Sequence, residues 1–201
     1  MPSSASREAS RWTPREVPIT LTAERAVLAP IVVFGWQVLG AGFTFRPVRG
    51  QRASGLAWLI TLGFIALVAN AGAEPVNPVL LAVAGVGLIA AFALFEWARR
   101  TVRGQFFSWI FSPDTPAFLC TAGPYAYIRN PFYTSYLLTL ASIVVMVPTV
   151  FRVIVYGALV FYFLRAALHE ENKFARSALA DEYVRYKQRT GRFLPTFSAK
   201  R

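Results

Sequence analysis

Apolar residues along this chain come in long runs rather than in alternation. Residues 26–45, 54–73 and 78–97 form three such runs, separated by short polar links. About 20 consecutive apolar residues are what an α-helix needs to cross a hydrocarbon core of roughly 30 Å, so each run is read as a membrane span. Two shorter runs follow, 132–147 and 153–164, joined by Pro148-Thr149 and bounded by Arg152 and Arg165. As helices they reach about 24 Å and about 18 Å, which predicts a short helical hairpin that tilts or penetrates partway. Residues 166–190 are Ala-rich and then charged, with Phe174, Leu179, Tyr183 and Tyr186 as apolar or amphipathic positions. This predicts a helix leaving the membrane and stopped at Gly191. The predicted fold is all-α: a polytopic bundle of about five membrane helices, the last two a short hairpin, with a cytoplasmic C-terminal helix. It divides into a polar tail (1–25), three spans (26–97) and a core of connector, hairpin and C-terminal helix (98–201).

Composition agrees with the runs. The chain is 55% hydrophobic and only 15% charged, against about 25% charged in soluble domains. Its formal net charge of +11 does not point to nucleic acid, because no basic stripe is interleaved with a soluble fold. The arginines instead abut the spans, where they report orientation and attract anionic lipid. Arg46, Arg49 and Arg52 lie between the first two runs, and Arg99, Arg100 and Arg103 follow the third, whereas 74–77 carries Glu74 and no Lys or Arg. The expectation is a multi-pass protein of the inner or plasma membrane, with 46–53 and 98–132 in the cytoplasm and 74–77 outside. Alternation then puts the N-terminus outside, although that tail holds four arginines against three glutamates. Charged residues recurring up to Glu24-Arg25 argue against a signal peptide. With Cys120 the lone cysteine and His169 the lone histidine, neither a disulfide framework nor a metal centre is expected.

Candidate chemistry concentrates in two places. The first is Gly123-Pro124-Tyr125-Ala126-Tyr127-Ile128-Arg129-Asn130-Pro131-Phe132-Tyr133. Its two prolines remove backbone donors and bias their predecessors toward extended conformations, predicting a rigid connector. The second is Glu170-Glu171, at the end of an apolar region where ionisable groups are costly unless they face a polar site. On a helix adjacent residues point about 100° apart, so the two glutamates are no matched acid/base pair. One is free to bind a cation while the other meets an arginine or water. Connector and pair are expected to close around one small polar ligand. Gly85-Val86-Gly87 mimics part of a dinucleotide fingerprint but lies mid-span with no preceding strand, so it reads as small residues easing helix contact.

From Trp97 onward the chain resembles the isoprenylcysteine carboxyl methyltransferase family, within the membrane-embedded S-adenosylmethionine methyltransferases that include phospholipid methyltransferases. The resemblance rests on Gly123-Pro124-Tyr125, Arg129-Asn130-Pro131 with Tyr133, Glu170-Glu171, Tyr183 with Tyr186, and Arg192-Phe193-Leu194-Pro195, in order over 97–195. It implies an S-adenosyl-L-methionine site facing the cytoplasm, formed by Gly123, Pro124, Tyr125, Arg129, Asn130, Pro131, Tyr133, Glu170, Glu171, Tyr183 and Tyr186. It also implies catalytic roles for Arg129, Asn130 and Arg192 and a lipophilic or prenylated acceptor reached from the bilayer. A glutamate suits the cofactor's ammonium, an arginine a carboxylate, and tyrosines the adenine and sulfonium.

Three departures bear on these expectations. Asn130 replaces the family's histidine, Ser135 stands where a glycine usually follows the tyrosine, and Leu179-Ala180 replaces Phe-Gly with one extra residue before Tyr183. They bear on substrate identity more than on cofactor use. The leading expectation is carboxyl O-methylation of an isoprenylcysteine-like acceptor. The alternatives are phospholipid N-methylation or small-thiol S-methylation on the same fold, a nicotinamide-dependent membrane reductase, and a non-enzymatic membrane protein that keeps the fold.

Overall fold

In a computed structural model the described residues are 21–46, 55–69, 71–103, 107–108, 116 and 118–196. Most of the N-terminal tail, Arg49 and Arg52, and much of the 104–117 segment therefore lie outside the described residues. The chain runs α1 (Ala23–Ala26), α2 (Leu28–Thr44), α3 (Gly55–Ala69), α4 (Pro78–Thr101), α5 (Pro131–Met146), α6 (Val150–Ala175) and α7 (Ala180–Arg189), with a 3₁₀ turn at Gly123–Ala126. Two two-residue segments, β1 (Phe45–Arg46) and β2 (Phe107–Ser108), pair in parallel. Among the described residues the remaining named elements are helical, and isolated bridges join Thr22 to Pro75 and Ile128 to Gly191.

Among the described residues three helices are long and apolar enough to cross a membrane: Ala23–Gly42, Pro78–Thr101 and Val150–Ala175. The most apolar of them, Pro78–Thr101, starts sharply because Pro78 needs no amide partner at the first turn and Asn77 Oδ1 accepts from Val79 N at 2.9 Å. It ends with Arg99 and Arg100 in the last turn, where cations complement the helix dipole. Outward-facing Val32, Val86, Ile89 and Phe161 are exposed, a distribution suited to hydrocarbon rather than water.

Two expectations are corrected in the second half. The hairpin's second arm is not short: α6 has 26 residues, about 39 Å of helix. Arg152, read from the sequence as a boundary, lies inside α6 and is 1% exposed. Its Nε donates to Leu67 O at 2.9 Å and its Nη1 to Val147 O at 3.3 Å. One guanidinium thereby ties down carbonyls at the C-terminal ends of α3 and α5. The predicted helix 166–190 is also two helices. Ser177 breaks it, donating to Phe174 O at 2.8 Å and accepting from Leu179 N at 3.1 Å, a local turn that competes with helix continuation.

The core is built on α4 against α5. Gly87 permits close approach, since a Cβ there would lie 2.5 Å from Ser142 Oγ; the small-residue reading of 85–87 therefore has a contact at Gly87, while Gly85 faces open space. Phe95 meets Phe132 edge-on with ring centroids 5.3 Å apart. α2 joins through a buried polar lock in which Gln37 Nε2 donates to Ser135 O (3.3 Å) and Thr139 Oγ1 donates to Gln37 Oε1 (3.1 Å). Ser135 is fully buried and donates to Phe132 O at 2.7 Å. The bundle has two distinct ends. One gathers 21–27, 72–76, Met146 and Arg152; the other gathers the end of α4, the 3₁₀ turn, the start of α5, the end of α6, α7 and the tail.

Candidate functional site

The connector and the C-terminal tail fasten to each other backbone to backbone. Arg129 N donates to Gly191 O at 2.8 Å, Gly191 N to Tyr127 O at 3.0 Å, and Asn130 N to Arg192 O at 3.2 Å. Two glycines make this clasp possible. Gly123 has φ +57° and a Cβ on it would collide with Thr101 Oγ1, while a Cβ on Gly191 would collide with the Leu194 carbonyl. Side chains reinforce it. Tyr186 Oη donates to Tyr125 O at 2.7 Å, Asn130 Nδ2 donates to Arg192 O at 3.2 Å, and Thr134 Oγ1 lies 3.0 Å from Phe193 O.

Inside the clasp sits an ion cluster around Glu171, whose side chain is 6% exposed. Arg192 grips it as a fork, Nε to Oε1 at 2.7 Å and Nη2 to Oε2 at 3.1 Å. Arg129 Nε reaches Oε1 at 3.3 Å, and Lys187 Nζ lies 3.4 Å from Oε2. Three cations around one carboxylate leave the cluster with surplus positive charge. Arg129 also donates to the carbonyls of Lys187 and Thr190 at the end of α7, a favourable place for a cation. Hydrogen bonding to Glu171 holds the Arg192 guanidinium pKa above its ordinary value despite desolvation. Glu170 points elsewhere and pairs with Lys173 at 3.3 Å, as the angular offset of neighbouring helix positions requires.

The expected site residues thus come together in structure, with duties that differ from residue to residue. Pro124, Tyr125, Pro131, Tyr133, Tyr183 and Tyr186 are buried. Tyr133 packs on Phe163 (5.3 Å between centroids) and Tyr183 stacks on Phe174 (4.7 Å). Burial, before any charge effect, raises the phenol pKa values of Tyr125, Tyr183 and Tyr186. Arg129 and Asn130, expected to be catalytic, brace the clasp through the bonds above. Burial also raises the pKa of the Cys120 thiol, although a backbone bond from Ala122 works against it.

A cleft of about 240 Å³ opens between the end of α6 and α7, lined by Glu171, Asn172, Asp181, Tyr183, Lys187 and Arg192 among others. None of residues 123–133 lines it, so the ion cluster, rather than the connector itself, is the wall shared by clasp and cleft. Sequence reasoning missed Lys187, although Tyr183, Tyr186, Lys187 and Thr190 share helical spacing on one face of α7. It also missed Glu96, which is 7% exposed and takes hydrogen bonds from Trp36 Nε1 (2.8 Å) and Arg99 (2.7 and 2.9 Å). No protein-family model matches this chain, and no curated protein matches it.

Proposed function

We propose that this protein is a membrane-embedded S-adenosylmethionine-dependent methyltransferase acting on a lipophilic acceptor, with carboxyl O-methylation of an isoprenylcysteine-like substrate as its leading reaction. One observation carries the reading. Motif fragments up to 60 or so residues apart in sequence meet in a single clasp, through Tyr125–Tyr186, Arg129–Glu171, Asn130–Arg192 and Glu171–Arg192. In this reading α2 to α6 are five membrane helices, and the clasp end, rich in Arg and Lys, faces the cytoplasm. The opposite end, with Glu74 and the start of α1, faces outward.

The residues lining the cleft fit the charged end of such a cofactor. Lys187 and Arg192 offer donors to a carboxylate, and Asp181 with Glu171 offers acceptors to an ammonium. Glu171 already has three cationic partners, and Asp181 is the second carboxylate on the cleft wall. At about 240 Å³ the cleft is smaller than the usual 300–1,000 Å³ of whole-ligand pockets, so it accommodates the amino-acid end of the cofactor. S-adenosylmethionine, when bound, supplies an electrophilic methyl group on a sulfonium. An acceptor carboxylate with an ordinary pKa of about 3.5 is ionised at neutral pH and needs no general base. The non-titrating Asn130 is therefore no obstacle. The work left to the chain is orientation and water exclusion, which a clasp braced at both connector and tail is suited to perform.

The test is a product-capture assay on membranes containing the protein, supplied with cofactor labelled in the methyl group. Label in an organic-extractable, base-labile ester is the expected outcome. Label in phospholipid headgroups would replace the acceptor assignment, and no transfer to any lipophilic product would remove the enzymatic reading.

A further inference from the structure

The rim of the bundle beside the clasp carries a second feature that methyl transfer does not use. Two arginines share the single carboxylate of Glu96. Arg99 Nη2 sits 2.7 Å from Glu96 Oε2, while Arg100 Nε reaches the same oxygen only at 3.5 Å with its side chain 73% exposed. Glu96 Oε1 accepts from both Trp36 Nε1 and Arg99 Nε. Among the described residues, Arg100 thus shares one carboxylate with Arg99 and leaves a largely exposed guanidinium at the end of the most apolar span, and Arg103, one turn on, is exposed as well. Trp97, one turn before Arg100 on the same face, is 48% exposed and lies 6.3 Å, centroid to centroid, from the half-exposed ring of Tyr127. Tyr127 O in turn holds Gly191 N, whose turn displays Leu194 at 76% exposure.

We infer that this rim is a headgroup site for one anionic phospholipid. Arg100 and Arg103 grip the phosphate and its neighbouring anionic group, while Trp97, Tyr127 and Leu194 lie at the level of the glycerol backbone. The assignment rests on charge and depth together. A forked guanidinium matches phosphate oxygens, and amphipathic aromatics settle where one side is apolar and the other wet. A zwitterionic headgroup supplies a phosphate too, but its ammonium opposes a cluster with surplus positive charge. The site requires only that α4 spans the bilayer, so it stands or falls separately from the methyltransferase reading. Because Tyr127 belongs to both rim and clasp, a lipid held here also fixes one edge of the clasp.

The experiment reconstitutes the full chain into nanodiscs containing brominated phosphatidylglycerol or brominated phosphatidylcholine at equal mole fraction. The Trp97 contribution is the difference between wild type and Trp97→Phe. Trp97 quenching at least about threefold greater by the anionic lipid is expected. It should fall to parity in Arg100→Gln/Arg103→Gln, persist in Arg185→Gln/Arg189→Gln on exposed α7, and resist soluble glycerol phosphate. Equal quenching by the two lipids, a preference that survives Arg100→Gln/Arg103→Gln, or one lost equally in the α7 variant would overturn the site. The last result would leave only a general attraction of a basic protein for an acidic bilayer.

Discussion

Glu171 and Arg192 lie 21 positions apart in the chain and meet in a two-bond fork, Nε–Oε1 at 2.7 Å and Nη2–Oε2 at 3.1 Å. This contact joins the last turn of α6 to the tail beyond α7, and Arg129 brings the connector to the same carboxylate. Replacing Glu171 by Gln leaves three cations facing one another. We expect a stability loss of roughly 3 kcal/mol, the low end for breaking a buried ion pair, because Arg192 and Lys187 stay partly hydrated. Glu170→Gln breaks an edge pair with Lys173 and should cost under about 1 kcal/mol. The double variant should also weaken S-adenosylhomocysteine binding at least about tenfold, or 1.4 kcal/mol. Thermal unfolding in detergent separates the two single variants; equal destabilisation would contradict the hub role of Glu171.

Asn130 tests whether its position on the connector braces the clasp or calls for a titratable side chain. Its backbone N and its Nδ2 both donate to Arg192 O at 3.2 Å, a bracing arrangement that neutral imidazole can also satisfy. Asn130→His should therefore keep cofactor affinity within about threefold, roughly 0.7 kcal/mol, and Asn130→Leu should lose far more. Methyl transfer created by Asn130→His, where wild type shows none, would overturn the bracing account.

Arg152 sits at the end of the bundle far from the clasp. Arg152→Gln strands the carbonyls of Leu67 and Val147, at roughly 1–3 kcal/mol for each buried partner left unsatisfied. The expected result is a lowered melting temperature with cofactor affinity unchanged in the folded fraction. A variant as stable as wild type would show that the guanidinium is not the tie between α3 and α5.

The buried tyrosines set an alkaline limit. The phenol pKa values of Tyr125, Tyr183 and Tyr186 are raised, so the fold favours their protonated forms. Their contribution is complete below the unfolded value of about 10 and is lost as pH rises from there toward the folded values. Ultraviolet titration should show part of the chain's eight tyrosines ionising late and together with unfolding. Simple titration of all eight near pH 10 would contradict their burial.

The sequence was informative wherever local pattern decides structure. The apolar run 78–97 became α4, and Asn77-Pro78 marks its start as cap rules require. α6 was misjudged because Arg152 looks polar in one dimension, whereas in three it caps two neighbouring helices from inside. The break at Ser177 depends on a side-chain turn that periodicity does not report. The sequence brought the connector and the Glu170-Glu171 end together, but the backbone pairing of 127–130 with 191–192 is a long-range event with no local signature. Lys187 and Glu96 were overlooked for a related reason. A charged residue on an amphipathic face looks solvated until its partner, here Glu171 or Arg99, is seen across the gap.

The central claim is that the clasp serves S-adenosylmethionine chemistry. The most direct measurement is equilibrium binding of radiolabelled S-adenosylhomocysteine to purified protein in detergent, with NADPH as competitor. The account predicts saturable binding, displaced by S-adenosylmethionine, indifferent to NADPH and weakened at least about tenfold by Glu170→Gln/Glu171→Gln. Absence of saturable binding, or displacement by NADPH, would contradict it.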